Sequence, residues 1–204
     1  MKQKAGILIL IISMMWVLHT FSKNFMVDPQ FEKFLSRKDQ ILTDHNVWIS
    51  MVRIHIFLAM ISLITGPLGV IKAIREKSKN FHRWNGRIYV MSIILNFIPG
   101  VYISFFATGG LPSIIGFIIL NTLWLTTTIL GIWYIKRQRV MLHSQWITRS
   151  FFLCFANITI YIIVAISHYL MNFSYENSYT IAVWLSWSLN LLVSEFIIRR
   201  RLFF

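Results

Sequence analysis

His82 and His143 are the residues of this chain best placed to do chemistry together. Each is followed by a tryptophan and an arginine at similar distances, Trp84 and Arg87 after the first, Trp146 and Arg149 after the second. Two imidazoles held at one level on neighbouring helices can ligate a haem iron from opposite sides, or help hold a divalent metal. The plainer alternative is a pair of histidines at a membrane surface, capping loops or meeting lipid phosphate. His55 is a third candidate ligand. It stands two residues after Arg53, and a helix turns ~100° per residue, so the two point to nearly opposite faces. Arg53 then reaches outward while His55 faces inward, where a second haem would need His19 or His168 as partner. His143 and His168 are 25 residues apart, or ~37 Å along a helix. That exceeds a hydrocarbon core of ~30 Å, so the two could not both ligate haems held inside a membrane. A single haem at His82 and His143 survives this objection.

The remaining polar candidates are an ion pair and a set of amides. Glu195 precedes Arg199 by one helical turn and shares the level of Arg149 and Arg87. The preferred reading is a buried Arg149–Glu195 pair joining two helices; a proton-carrying Glu195 is the alternative. Arg83 and Arg87 complete a basic collar around the histidines. Asn96, Asn121, Asn157 and Asn190 place one amide in each of four apolar segments, and Thr126, Thr127 and Thr128 join Asn121. Such groups hydrogen-bond between helices, at ~0.6–2 kcal/mol each, or line a polar path.

The elements that position these residues are membrane helices. The chain is 56% hydrophobic and 13% charged over 204 residues, with a mean hydropathy of +0.64. Lipid solvates that much apolar surface and water does not. Six apolar stretches fall at about 5–22, 47–71, 88–106, 111–135, 146–170 and 178–198. They define one all-α integral membrane domain, because lipid-exposed backbone must satisfy its own hydrogen bonds. The charges set an orientation. One set of flanks holds fifteen Lys and Arg residues against Glu76 and Glu195, and the other holds five against five acids. The net charge of +13 therefore lies on one face, which places both termini in the cytoplasm. Anionic headgroups there are the expected partners, and nucleic acid is not. The first stretch lacks a small-x-small cleavage site after it, and reads as an uncleaved anchor.

Asp28-Pro29 resembles a helix N-cap followed by proline, so a short amphipathic helix is expected at about 29–38 on the outer surface. Trp48, Trp84 and Trp146 fall at the expected interfaces as anchors. Gly66-Pro67 and Pro99-Gly100 should allow kinks or close packing. Cys154 stands alone, and Walker A, H-E-x-x-H, G-x-S-x-G and CxxC motifs are missing from the sequence.

Several of these runs also resemble a known family. Gly66-Pro67, Arg75 and His82-Arg83-Trp84-Asn85-Gly86-Arg87-Ile88-Tyr89-Val90 are similar to a bacterial multipass membrane family catalogued as a domain of unknown function (number 2306). The likeness continues through Thr108-Gly109-Gly110, Gly116-Phe117, Leu123 to Thr128, His143 to Ser150 and Asn190 to Glu195, over roughly 55–200. His55 stands where that family tends to carry a histidine. Tyr161 departs from it, standing where an arginine is expected. The resemblance implies a multipass protein of the bacterial plasma membrane and no particular activity.

Three functions of different kinds follow. The most specific is a membrane redox protein holding haem b between His82 and His143. The second is a small carrier with an Asn/Thr-lined path. The third is an accessory or assembly factor for another membrane complex.

Overall fold

The computed structural model describes residues 2–36 and 44–200, and all regular structure among them is helical. Helix α1 (Lys2–Phe21) runs into a π-helical turn, Ser22–Val27. It is followed by α2 (Glu32–Leu35), α3 (His45–Val70), α4 (Lys72–Lys77), α5 (Lys79–Ser104) and α6 (Gly110–Lys136). Then come α7 (Val140–Leu153), α8 (Ala156–Val164) with a π-helical turn at Ala165–Leu170, and α9 (Tyr175–Arg199). Six segments among the described residues are long and apolar enough to cross a membrane: 6–27, 45–70, 79–104, 110–136, 140–170 and 175–199.

Two of these segments begin well before their apolar stretches. Ser78 caps α5, its hydroxyl accepting from the Phe81 amide at 3.2 Å, so the helix starts at Lys79 rather than near 88. The first turns of α5 are polar and basic, while α7 opens on Val140-Met141-Leu142 ahead of the polar run His143-Ser144-Gln145, and hydropathy alone misses these helix starts. His82 and His143 consequently sit on helices. Each lies in the first turn, its amide bonded to the carbonyl of the preceding cap residue, Ser78 and Arg139.

The fifth segment is not one continuous α-helix. The amides of Cys154 and Phe155 turn back to the carbonyls of Phe151 and Phe152, at 3.0 and 3.1 Å, tightening the chain between α7 and α8. This turn brings Phe151, Phe152 and Phe155 together, with ring centroids 5.2–6.0 Å apart. They form the heart of the core with Leu63, Ile93, Trp124 and Ile197. Gly66 makes this packing possible, because the Phe151 ring lies where a Cβ on residue 66 would be. α3 packs most closely on α5, α6 on α7, and α8 on α9, while α1 lies at the edge against α3.

The first long loop corrects two expectations. Asp28 does accept from the Glu32 amide at 2.8 Å, but the helix there is the single turn Glu32–Leu35; residues 37 and 38 lie outside the described residues. Phe31 takes a left-handed backbone, φ +58°, and drives its ring into the bundle, edge-on to Trp48 at 6.2 Å. Arg53 ties the loop down by donating to the Pro29 carbonyl at 2.7 Å. Trp48 is therefore a core residue, 1% exposed, rather than an interfacial anchor. Its burial comes from a loop that folds back, which no local pattern in the third segment's flank encodes.

Candidate functional site

His82 and His143 line one cavity of about 640 Å³ between α3, α5, α6 and α7. Its walls are mostly apolar, with Val70, Met91, Ile132, Ile135 and Ile147 among them, and Arg75, Arg83 and Arg87 also line it. The volume lies within the ~300–1,000 Å³ of small-molecule and cofactor sites. Arg75 stands in the same cavity as both rings.

The rings are held differently. His143 Nδ1 is 2.8 Å from the Gly131 carbonyl oxygen on α6. A carbonyl only accepts, so Nδ1 carries the proton and Nε2 of the neutral ring keeps its lone pair. Metal-bound histidines are typically oriented in this way, by donating the second ring nitrogen's proton to a carbonyl or carboxylate. His82 Nδ1 is buried with no hydrogen-bond partner. No group of three or more His, Cys, Asp or Glu side chains stands together among the described residues. The donor set at the cavity thus suits a cofactor that brings its own equatorial ligands better than a bare divalent cation.

Arg149 and Glu195 meet elsewhere. Arg149 Nε donates to Glu195 Oε1 at 2.5 Å, linking α7 to α9. The pair is half-buried rather than buried, with side chains 18% and 39% exposed. Neither residue lines the cavity. Arg149 also lies over the Trp146 ring at 4.5 Å, and Arg87 over the Trp84 ring at 4.9 Å, so both helices repeat the same cation–π arrangement.

His55 lies deeper, two to three turns into α3, beside Asn96 of α5. A Cβ on Gly100 would sit 3.4 Å from His55 Nδ1 and overlap Asn121 Oδ1, so these side chains from three helices converge there. The two histidines considered as its partners have other neighbours: His19 stacks on Trp16 at 4.9 Å, and His168 Nδ1 donates to the Phe173 carbonyl at 2.8 Å. At Tyr161 the structure supplies a cation from another helix. Lys23 donates to the Tyr161 hydroxyl and lies 4.5 Å from the ring centroid. A positive charge thus stands beside a position where the resemblance led to an arginine.

Sequence reading missed the buried hydrogen-bond chain below the cavity. Tyr89 lines the cavity and its hydroxyl lies 2.8 Å from Ser150 Oγ, which is 2.7 Å from Thr128 Oγ1. Asn85, another lining residue, donates to the Thr65 carbonyl at 2.7 Å. The signal was present as spacing: Asn85, Tyr89, Ser92 and Asn96 recur every three or four residues, which is one helix face.

Helices of this length and hydropathy, with polar groups turned into the bundle, define a polytopic helical membrane protein. The chain belongs to the family described as predicted membrane protein (DUF2306), whose profile matches residues 52–198. That match covers every residue of the cavity and both members of the Arg149–Glu195 pair. Comparison with curated proteins and with solved structures returns no match.

Proposed function

We propose that this membrane protein binds haem b in the cavity between α3, α5, α6 and α7 and carries out one-electron redox chemistry there. His82 and His143 would hold the iron in this reading. The observation that carries it is the His143–Gly131 hydrogen bond inside a cavity that His82 shares. It fixes the ring orientation and leaves Nε2 as the ligating nitrogen. The apolar walls suit the macrocycle, and Arg75, Arg83 and Arg87 suit its propionates. A bare divalent metal at the same histidines is the weaker alternative, since two imidazoles leave most of its coordination unfilled. The positive face carrying the cavity is the cytoplasmic side of a bacterial plasma membrane in this reading, with both termini there, on the strength of the charge asymmetry. Arg83 and Arg87 are exposed at that face and available to anionic headgroups.

The test is an absorption spectrum of detergent-purified protein, air-oxidised and then dithionite-reduced, beside a His82→Ala/His143→Ala double variant. A Soret band that shifts on reduction and is lost in the double variant is the expected result. A flat spectrum from folded protein, expressed with ample haem, would falsify the reading.

A further inference from the structure

One face of α5 is polar along most of its length. Asn85, Tyr89, Ser92, Asn96 and Ser104 are 5%, 3%, 3%, 1% and 3% exposed, so this face is turned into the protein and not to lipid. From Asn85 to Ser104 the rise is ~28 Å at ~1.5 Å per residue, close to a ~30 Å hydrocarbon core. Neighbouring helices match the face with polar groups. Tyr89 reaches Ser150 and Thr128; Ser92 Oγ lies 2.7 Å from Ser62 Oγ; Asn121 Nδ2 donates to Ser104 Oγ at 3.3 Å.

Three atoms in the middle of this polar row are left over. Asn96 Nδ2, Asn96 Oδ1 and His55 Nδ1 are buried and make no hydrogen bond of ordinary geometry, although the amide and the ring stand beside each other. Unpaired polar groups are especially costly where no bulk water reaches. They lie on two facing helices, and Asn121 Oδ1 comes to the same place beside Gly100. Together they offer a donor-rich amide, an imidazole and carbonyl oxygens, which is the two-to-four-partner setting of a buried water. Asn85, Tyr89, Ser92 and Asn96 follow one another about one turn apart, ~5.4 Å, a distance that a single water bridges with two hydrogen bonds of ordinary length. Asn121, beside Gly100 and bonded to Ser104 Oγ, stands in the two-turn interval from Asn96 to Ser104.

We propose that α5 carries a water-bridged proton path across the bundle, running from the Ser104–Asn121 end past the His55–Asn96 pair to the basic cavity, with His55 as its protonatable relay. Asn85 and Tyr89 form its mouth, since both line the cavity. His55 is the imidazole at this depth among the described residues of α3, α5 and α6, and its two ring nitrogens can take up a proton on one side and release one from the other. Arg53, the charged residue of α3, is engaged by the Pro29 carbonyl, and the charges of α5 and α6 stand at the cavity end: Lys79, Arg83, Arg87 and Lys136. A proton arriving on one ring nitrogen is balanced by release from the other to the next water, so the ring is regenerated without net chemistry. The path does not depend on a bound haem.

The experiment uses the purified chain, produced without added haem, reconstituted into liposomes that enclose pyranine. A pH gradient is imposed with potassium and valinomycin clamping the potential. Wild type should dissipate the gradient faster than protein-free vesicles. His55→Phe and Asn96→Leu, incorporated equally and eluting as single species, should fall to the protein-free rate. Leucine has nearly the size of the amide and removes two unpaired buried polar atoms, so Asn96→Leu should fold at least as well as wild type; it decides alone if His55→Phe does not fold. Wild-type dissipation no faster than empty vesicles overturns the proposal. So does a folded Asn96→Leu protein that conducts at the wild-type rate.

Discussion

His143 on α7 and Gly131 on α6 are joined by a 2.8 Å hydrogen bond from Nδ1 to the carbonyl oxygen, and the absence of a side chain on Gly131 is what lets the helices approach that closely. A Cβ there would lie 2.6 Å from Ile147 Cδ1 and 2.8 Å from Cγ1. Gly131→Ala should therefore displace Ile147 and lower stability by ~1–3 kcal/mol through overpacking. The same shift should weaken the proposed haem binding at His143. Thermal unfolding in detergent, read beside the Soret band, checks both effects.

Gly66 and Gly86 should respond oppositely to alanine. At Gly66 the added carbon meets the fully buried Phe151 ring, whereas at Gly86 nothing lies within 4 Å. Gly66→Ala should lower the melting temperature clearly. Gly86→Ala should be neutral or stabilising by up to ~1 kcal/mol, the helix-propensity difference. A Gly66→Ala protein as stable as wild type would remove the close α3–α7 approach from the account of the core.

For Arg149 and Glu195 the informative measurement is a charge-swap cycle. Arg149→Glu and Glu195→Arg each place like charges at the α7–α9 contact, and both should destabilise. The double swap should recover part of the loss, because the pair interacts directly. Full additivity of the two losses would mean that the contact contributes nothing. The exposure of Glu195 keeps the expected coupling small.

Phe31 combines a buried ring with a strained backbone. Phe31→Ala removes a side chain that is 3% exposed and should cost about 3–5 kcal/mol, in line with other buried phenylalanines. Phe31→Gly removes the same ring but relieves the left-handed conformation, which costs an L-residue ~1–2 kcal/mol. Glycine should therefore be the less damaging of the two. The order of the two melting temperatures is the readout.

Ser150 stands between two hydroxyls, so its loss should exceed that of either neighbour. Tyr89→Phe leaves the Ser150–Thr128 bond intact and should cost ~0.5–1.5 kcal/mol. Ser150→Ala separates Tyr89 from Thr128, although Thr128 keeps the Trp124 carbonyl at 2.8 Å. It should cost more than Tyr89→Phe in the same unfolding assay.

Much of the architecture was legible because lipid imposes a simple rule. A segment of ~20 apolar residues in a bilayer must be helical, and the six stretches found from hydropathy correspond to the six long helical segments. The errors fell where that rule stops. α5 begins nine residues before its apolar stretch because a serine cap and basic residues extend it into the headgroup layer. The short outer helix and Trp48 were misplaced because the burial of Trp48 depends on a loop returning over the bundle with Phe31 against it.

The sequence by itself determined the helical class, the number of apolar segments and the concentration of positive charge on one set of flanks. Each of these follows from composition along the chain, because the transfer of apolar side chains into lipid outweighs the other local preferences. It also singled out His82 and His143 as a pair, since each is followed by a tryptophan and an arginine at similar spacing. Only the tertiary structure decided that both rings share a cavity with Arg75 while Arg149 and Glu195 stand apart from it. Only there do His55, Asn96 and Asn121 converge with atoms left unpaired. The physical reason is that which side chains meet is set by helix rotation and crossing, through contacts such as Gly66 on Phe151 and Gly131 on Ile147, between residues distant in sequence.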